Sequence, residues 1–157
     1  IVTGGKSTVD QQVDDEIPAL KNVYSLIGRI SLEECAALTD MSLAFVGVDT
    51  FNCHLAAAFN KPIFVIFGPN NPEVWSPWSN TLQRAGQRTA PVQTYGDITV
   101  FQSSLECVPC GHSARCGEHD RLSPCMADIE PQTVFNEIKN WLSKALPESC
   151  NDAKTTL

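Results

Sequence analysis

The side chains best suited to chemistry stand together in the first half of the chain. Asp49 and Thr50 directly follow an apolar run over residues 43–48, and His54 comes one helical turn later. A hydroxyl can donate a hydrogen bond, and an imidazole can donate one or carry a positive charge. If residues 50–54 begin a helix, its unpaired N–H groups add further donors. This combination suits a phosphate group, provided that the fold brings the side chains into one crevice.

The surrounding pattern predicts a strand–helix–strand unit. Residues 43–48 and 63–67 are near-continuous apolar runs, as expected of parallel strands that are buried on both faces. Between them, residues 54–59 are small and apolar enough to form a helix that packs closely on a sheet. In open α/β sheets, ligands bind at the carboxyl ends of the strands. We therefore expect the candidate side chains and the loop 68–72 to line one crevice.

Length and composition predict one globular domain. The chain has 157 residues, of which 43% are hydrophobic and 18% are charged. The net charge of −7 argues against a protein that binds nucleic acid non-specifically, which needs a basic face. No apolar run approaches the ~18 residues needed to span a bilayer, and no secretory signal pattern is present. These features favour a cytoplasmic protein.

Caps and apolar spacing predict the remaining elements. Ser31 and Glu34 form a capping box that begins a helix. Pro131 takes the first position of a final helix predicted over residues 131–145, whose apolar stripe is Val134, Phe135, Ile138, Trp141, Leu142 and Ala145. Further helices are predicted over residues 7–20 and 31–40, with short strands over 1–3, 22–28, 90–93 and 98–101, the last two at sheet edges.

The first five residues resemble the interior of a domain more than the start of a protein. Ile1-Val2-Thr3 reads as the end of a buried strand, and Gly4-Gly5 as the turn after it. Two glycines allow free backbone angles and let a phosphate or a ribose approach closely. A plain tight turn explains the pair equally well. Since the chain also lacks an initiator Met, we expect it to be a piece of a longer protein.

The central stretch resembles the family 9 glycosyltransferases, the heptosyltransferases of lipopolysaccharide core synthesis. Their pattern reads D-[TS]-G-x-x-H-L-A-A-A, then x-K-P, an apolar strand, F-G-P-T-x-P and W-x-P. The chain has Asp49-Thr50-Phe51-Asn52-Cys53-His54-Leu55-Ala56-Ala57-Ala58, then Lys61-Pro62, Phe67-Gly68-Pro69-Asn70-Asn71-Pro72 and Trp75-Ser76-Pro77. Residues 26–34 also match the family's L-x-G-x-x-S-L-x-E. Order, spacing and residue types together make the pattern specific.

The resemblance implies a fold and a place in a larger enzyme. It implies a doubly wound, parallel-sheet, Rossmann-like α/β domain, the carboxyl-terminal domain of a GT-B glycosyltransferase. Residues 1–146 would bind the donor, and 147–157 would be a loose tail. The first strand–helix unit of this domain and the amino-terminal acceptor domain would precede the chain. The family's catalytic base and phosphate-gripping lysine would also lie there, so the isolated chain is expected to be inactive.

The resemblance also implies ligands and roles. The donor would be a nucleotide-sugar such as ADP-heptose. The acceptor would be a lipopolysaccharide core or a similar lipid-linked saccharide, with peripheral contact at the inner face of the bacterial membrane. No cofactor is required, because dipoles and side chains hold the diphosphate. Donor-binding residues would be Asp49 near the sugar hydroxyls, Thr50, Phe51 and His54 near the diphosphate, Ile30 and Ser31 near the adenine, and the Gly4-Gly5 turn.

Two departures and two alternatives qualify this assignment. Phe51 stands where the family has glycine, and Asn70 stands where it has threonine. The phenylalanine adds bulk and restricts the backbone where the family lets a phosphate approach. In the alternative, purely structural interpretation, Asp49 only caps the helix, and His54 is a core or capping residue rather than part of a donor site.

The second half of the chain contains a cysteine cluster. Cys107, Cys110, Cys116 and Cys125 could hold a structural zinc ion, with His112 and His119 as alternative ligands. Disulfides and free thiols are the competing interpretations. Many members of the resembled family share this cysteine layout, which implies that the cluster braces the loop before the final helix.

Two other functional classes remain open on the sequence alone. One is a nucleotide-binding module without catalysis, which Phe51 makes plausible. The other is a cysteine-braced structural or zinc-binding domain.

Overall fold

A computed structural model describes residues 1–87, 90–111, 116 and 123–146. The chain divides into two compact units, Ile1–Ser42 and Leu43–Leu157. The predicted division into a domain over 1–146 and a tail over 147–157 stays a prediction, because the tail lies outside the described residues.

The first unit contains two capped helices. The helices are α1, Thr8–Glu16, and α2, Leu32–Met41. The capping box predicted for α2 is confirmed, since the Ser31 hydroxyl accepts from the Glu34 N–H and the Glu34 carboxylate accepts from the Ser31 N–H. Helix α1 has a similar box between Ser7 and Asp10. The sequence pattern missed it because Asp10 stands where Glu or Gln is usual.

The strands predicted over residues 1–3 and 22–28 are not formed as regular strands. Val2 and Ser25 make one isolated parallel bridge, supported by hydrogen bonds from the Val2 N–H and to the Val2 carbonyl. Residues 1–42 therefore contain one parallel bridge, which does not extend into a regular pair of strands.

The second unit is built on a four-stranded sheet. Its strands are β1, Phe45–Val48; β2, Ile63–Phe67; β3, Val92–Tyr95; and β4, Ile98–Gln102. The order is β1-β2-β4-β3, with β1, β2 and β4 parallel and β3 antiparallel to β4. Helix α3, Phe51–Ala58, connects β1 to β2. This mostly parallel sheet with helices confirms the predicted α/β, Rossmann-like class.

Helices cover both faces of the sheet. On one face, Cys53, Ala56 and Ala57 of α3 pack against a buried row that includes Ile63, Val65 and Phe67. The other face packs against α6, Pro131–Ala145, whose bounds match the prediction. There the ring of Trp141 meets that of Phe64 edge-on, with centroids 5.6 Å apart. Two short helices, α4, Pro72–Trp75, and α5, Pro124–Ala127, complete the described elements of this unit.

Two predictions about the strands were wrong, and the prediction of an apolar stripe on α6 is confirmed only in part. Strand β1 is not buried on both faces: its residues alternate between half-buried and exposed, and on the exposed face Val46 is 51% and Val48 is 44% exposed. Residues 98–101 do not form an edge strand, since β4 lies between β2 and β3 and every one of its residues is buried. Only part of the predicted stripe on α6 packs inward, and Phe135 is 56% exposed.

None of the helices in the described parts of the chain is long and apolar enough to cross a membrane.

Candidate functional site

A cavity of about 740 Å³ lies at the carboxyl ends of β1 and β2. It is lined by Asp49, Thr50, Phe51, His54, Asn70, Asn71, Trp75, Pro109, Cys110 and Gly111. The side chains expected to share a crevice with the loop 68–72 therefore do so. Their position follows from the parallel pairing of β1 and β2, which places the two strand ends side by side.

Asp49 is held from two sides. Its backbone N–H donates to the Ile66 carbonyl at 3.2 Å, which continues the β1–β2 ladder. The Asn70 side-chain amide donates to a carboxylate oxygen of Asp49 at 2.7 Å. Asp49 is not the helix cap, because Thr50 takes the N-cap position of α3. The amide at position 70 thus orients the carboxylate across the two strand ends.

The N-terminus of α3 opens on the same cavity. Thr50 is the N-cap residue, yet its side chain makes no capping hydrogen bond. Its hydroxyl lies 3.4 Å from the Val48 carbonyl, a long contact for a hydroxyl donor. His54 follows on α3 and is exposed, so it is not a core histidine. The helical N–H groups, the Thr50 hydroxyl and the His54 imidazole thus give one edge of the cavity several hydrogen-bond donors, which suits an anionic ligand.

Two aromatic side chains share this cavity with the polar groups. Phe51, the first residue of α3, is 57% exposed. Trp75, the last residue of α4, is 56% exposed. The Phe51 side chain therefore does not point away into the core, and its ring contributes to the cavity wall.

A buried glutamine supports the loop that carries Asn70. Gln102, the last residue of β4, is 2% exposed. Its side-chain amide donates to the carbonyls of Gly68 at 2.9 Å and Asn70 at 2.8 Å. Sequence reasoning missed this residue. The sequence shows a glutamine directly after the predicted strand 98–101. That Gln102 is buried follows only from the position of β4 between β2 and β3.

The segment after β4 forms another wall of the cavity. Pro109, Cys110 and Gly111 line it, and the Gly111 N–H donates to the Pro69 carbonyl at 2.8 Å. The sequence pattern predicts a cysteine cluster in this segment and contains no signal for its place in the wall of the cavity that Asp49 also lines.

The four clustered cysteines are free thiols in the structure. Cys125 is buried in α5, whereas Cys107 is exposed and Cys110 and Cys116 are half-buried. Within the described part of the chain, these sulfur atoms do not form a group of three or more metal-ligating atoms. The alternative ligands His112 and His119 lie outside the described residues. Zinc binding and disulfide formation at this cluster stay predictions.

A different group of possible metal ligands does occur beside the cavity. One ligand atom each from Asp49, Cys53 and His54 lies within 4.8 Å of the others. Cys53 fits a metal poorly, because a cysteine ligates as its thiolate. Burial raises the pKa of the Cys53 thiol, and the charge of Asp49 adds to this. The sulfur also donates to the Thr50 carbonyl at 2.9 Å.

Cys53 is expected to be the slower of two thiols toward alkylation. Burial and its raised pKa both keep the Cys53 sulfur protonated and shielded, whereas Cys107 is exposed. With iodoacetamide at pH 8, mass spectrometry should find Cys107 modified at least about tenfold faster in the folded protein. In guanidinium chloride the two rates should converge, and equal rates in the folded protein would contradict the placement of Cys53.

The Gly4-Gly5 turn lies in the first unit, beside an acidic side chain. A Cβ atom added at Gly5 would meet an Asp10 carboxylate oxygen at 3.0 Å, and one added at Gly4 would meet the other at 3.2 Å. A hydrogen bond from the Ser7 side chain lowers the pKa of Asp10. An ionised carboxylate beside the turn repels phosphate, and contact of Gly4-Gly5 with the donor stays a prediction.

Ile30 and Ser31 also lie in the first unit. The Ser31 hydroxyl accepts the Glu34 N–H at 3.2 Å and so serves as the cap of α2. Ile30 directly precedes that cap and is half-buried. Contact of either residue with an adenine stays a prediction.

Comparison with known proteins gives a consistent picture. The model of glycosyltransferase family 9 (heptosyltransferase) matches residues 1–100. A lipopolysaccharide heptosyltransferase 3 of Escherichia coli is 40% identical over 60 residues, which are 38% of this chain and 18% of that protein. The lipopolysaccharide heptosyltransferase 2 of Salmonella typhimurium is 26% identical over 144 residues, 88% of this chain and 36% of that protein. The chain thus spans about a third or less of the length of these relatives. No solved structure gives a significant match.

Proposed function

Because the chain belongs to glycosyltransferase family 9, the heptosyltransferase family, we propose that it is the donor-binding part of a sugar transferase. The enzyme would transfer heptose or a related sugar from a nucleotide-sugar, such as ADP-heptose, to a lipopolysaccharide core or a similar lipid-linked saccharide. The observation that carries the proposal is the cavity at the ends of β1 and β2. It joins the N-terminus of α3 to a carboxylate, a hydroxyl and an imidazole.

The diphosphate of the donor would lie at the N-terminus of α3. Helical N–H groups and the Thr50 hydroxyl supply hydrogen bonds to phosphate oxygens, and His54 supplies a further donor. These groups stabilise the negative charge that grows on the diphosphate as the sugar leaves. Transfer would therefore need no metal ion at this site.

The sugar would lie toward Asp49. Its carboxylate accepts hydrogen bonds from sugar hydroxyls, and Asn70 holds it in place at 2.7 Å. The base that activates the acceptor is expected outside this chain, so the chain alone would bind donor without transferring it. The transfer itself would be an inverting displacement at the cytoplasmic face of the membrane.

Titration with ADP and ADP-heptose tests the proposal. Both should bind, and His54→Ala should weaken both by about tenfold, the effect of losing one hydrogen bond to a charged group. Isothermal calorimetry measures the two affinities. Lys139→Ala is the matched control, because it removes an exposed cation on α6 that does not line the cavity.

Three outcomes separate the alternatives. If His54→Ala and Lys139→Ala weaken binding equally, general electrostatic attraction explains the binding and the site is wrong. If the wild-type chain and Phe51→Gly both fail to bind at millimolar concentration, the donor-binding proposal is overturned. If a longer protein that includes the acceptor domain binds donor but transfers no sugar, the chain is part of a nucleotide-binding module without catalysis.

A further inference from the structure

Two exposed aromatic rings stand in a cavity whose other side chains are mainly polar. Phe51 and Trp75 are 57% and 56% exposed, although rings of this size are usually more buried. They come from different helices, α3 and α4, and line the same cavity. Among the described residues, neither ring belongs to the two hydrophobic core clusters that pack against the sheet.

The neighbours of these rings indicate what they would contact. An aromatic face has no hydrogen bond to offer a phosphate, but its negative quadrupole attracts polarised C–H groups. A sugar ring presents such C–H groups on its faces and hydroxyls at its edge. Asp49 and Asn70 line the same cavity and suit the hydroxyls, because one accepts hydrogen bonds and the other both accepts and donates.

We infer that Phe51 and Trp75 form an aromatic platform for the ring of the transferred sugar, and that both are specificity-determining residues of the donor site. This inference rests on the proposed function. It also gives a role to Phe51, which stands where the family pattern has glycine. A glycine has no side chain there, whereas the Phe51 ring offers an apolar face beside the diphosphate. The platform then distinguishes the nucleotide-sugar from the free nucleoside diphosphate.

The test compares two ligands on matched variants. Phe51→Ala and Trp75→Ala should each weaken ADP-heptose binding about five- to tenfold, while ADP affinity changes less than about twofold. Calorimetry on the full chain measures both. Phe51→Tyr and Trp75→Phe should keep most of the affinity, because each retains an aromatic face. Both rings are largely exposed, so the alanine variants are expected to fold.

Two control variants carry the same chemical changes elsewhere. Phe135→Ala removes a ring that is 56% exposed on α6. Trp78→Ala removes one that is 49% exposed and lines a separate small cavity. Neither should change the affinity for ADP-heptose or for ADP.

The outcomes distinguish this inference from the proposed function. If wild-type protein binds both ligands but the cavity variants lose ADP and ADP-heptose equally, the rings contact the nucleoside and the inference is overturned. Unchanged affinities overturn it too, as does tighter ADP-heptose binding by Phe51→Gly. If the wild-type chain and Phe51→Gly bind neither ligand, the proposed function itself fails.

Discussion

Replacing Phe101 by alanine is expected to lower the free energy of unfolding by about 3–5 kcal/mol. Phe101 is 0% exposed and pairs with Ile66 of β2 on one side and Val92 of β3 on the other. It shares the second core cluster with Phe64 and Val134, so its removal leaves a cavity between the sheet and α6. Urea denaturation followed by circular dichroism measures the change.

Phe135→Ala is the control for this prediction. The chemical change is identical, but Phe135 is 56% exposed on α6. Its loss should change the free energy of unfolding by less than about 0.5 kcal/mol. Equal destabilisation by the two substitutions would show that β4 is not the packed centre of the sheet.

Replacing Gln102 by glutamate is expected to destabilise the protein by about 3 kcal/mol or more at pH 7. The glutamine donates two hydrogen bonds to the carbonyls of Gly68 and Asn70 from a site that is 2% exposed. An ionised carboxylate cannot donate there, and it would be buried without a partner of opposite charge. Chemical denaturation at a series of pH values gives the size of the effect.

The sign of the pH dependence follows from the same burial. Burial and the two carbonyls raise the folded-state pKa of a glutamate at position 102 above its unfolded value of about 4.3. The folded state then holds the proton more tightly than the unfolded state. Relative to wild type, the variant should therefore be most stable below about pH 4 and lose stability as the pH rises through the folded-state pKa.

Gln102→Leu separates charge from lost hydrogen bonds. It removes the same two donors without introducing a titratable group, so its deficit relative to wild type should not depend on pH. If the deficit of Gln102→Glu is equally flat between pH 4 and pH 7, the side chain is not buried as described. Both variants should also weaken ADP-heptose binding, because Gln102 supports the loop from which Asn70 reaches Asp49.

The elements that sequence reasoning placed correctly are those with local physical causes. The capping box of α2 needs only Ser31 and Glu34, three residues apart. Helix α6 begins at Pro131 because proline suits the first helical position. The apolar run 63–67 forms β2, and the carboxyl ends of β1 and β2 meet in one cavity because parallel pairing leaves no other arrangement.

The errors arose where burial depends on distant partners. Residues 98–101 have polar neighbours in the chain, and this pattern predicts an edge strand. In the structure β4 instead lies between β2 and β3. The apolar run predicts that Val46 is core, yet only alternate residues of β1 lie on the packed face of the sheet. Strand order is decided by which surfaces pack best across the whole unit, and no local pattern contains that information.

The candidate site shows the same division. The order and spacing from Asp49 to Trp75 were enough to identify the family and the strand ends that would carry a ligand, because a strand and the helix after it have a fixed geometry. Only the tertiary structure placed Cys110 in the cavity wall, aimed the Asn70 amide at Asp49 and put buried Gln102 beneath the loop. The two hydrogen bonds join residues 21 and 32 positions apart, and such pairings are set by packing rather than by neighbouring residues in the chain.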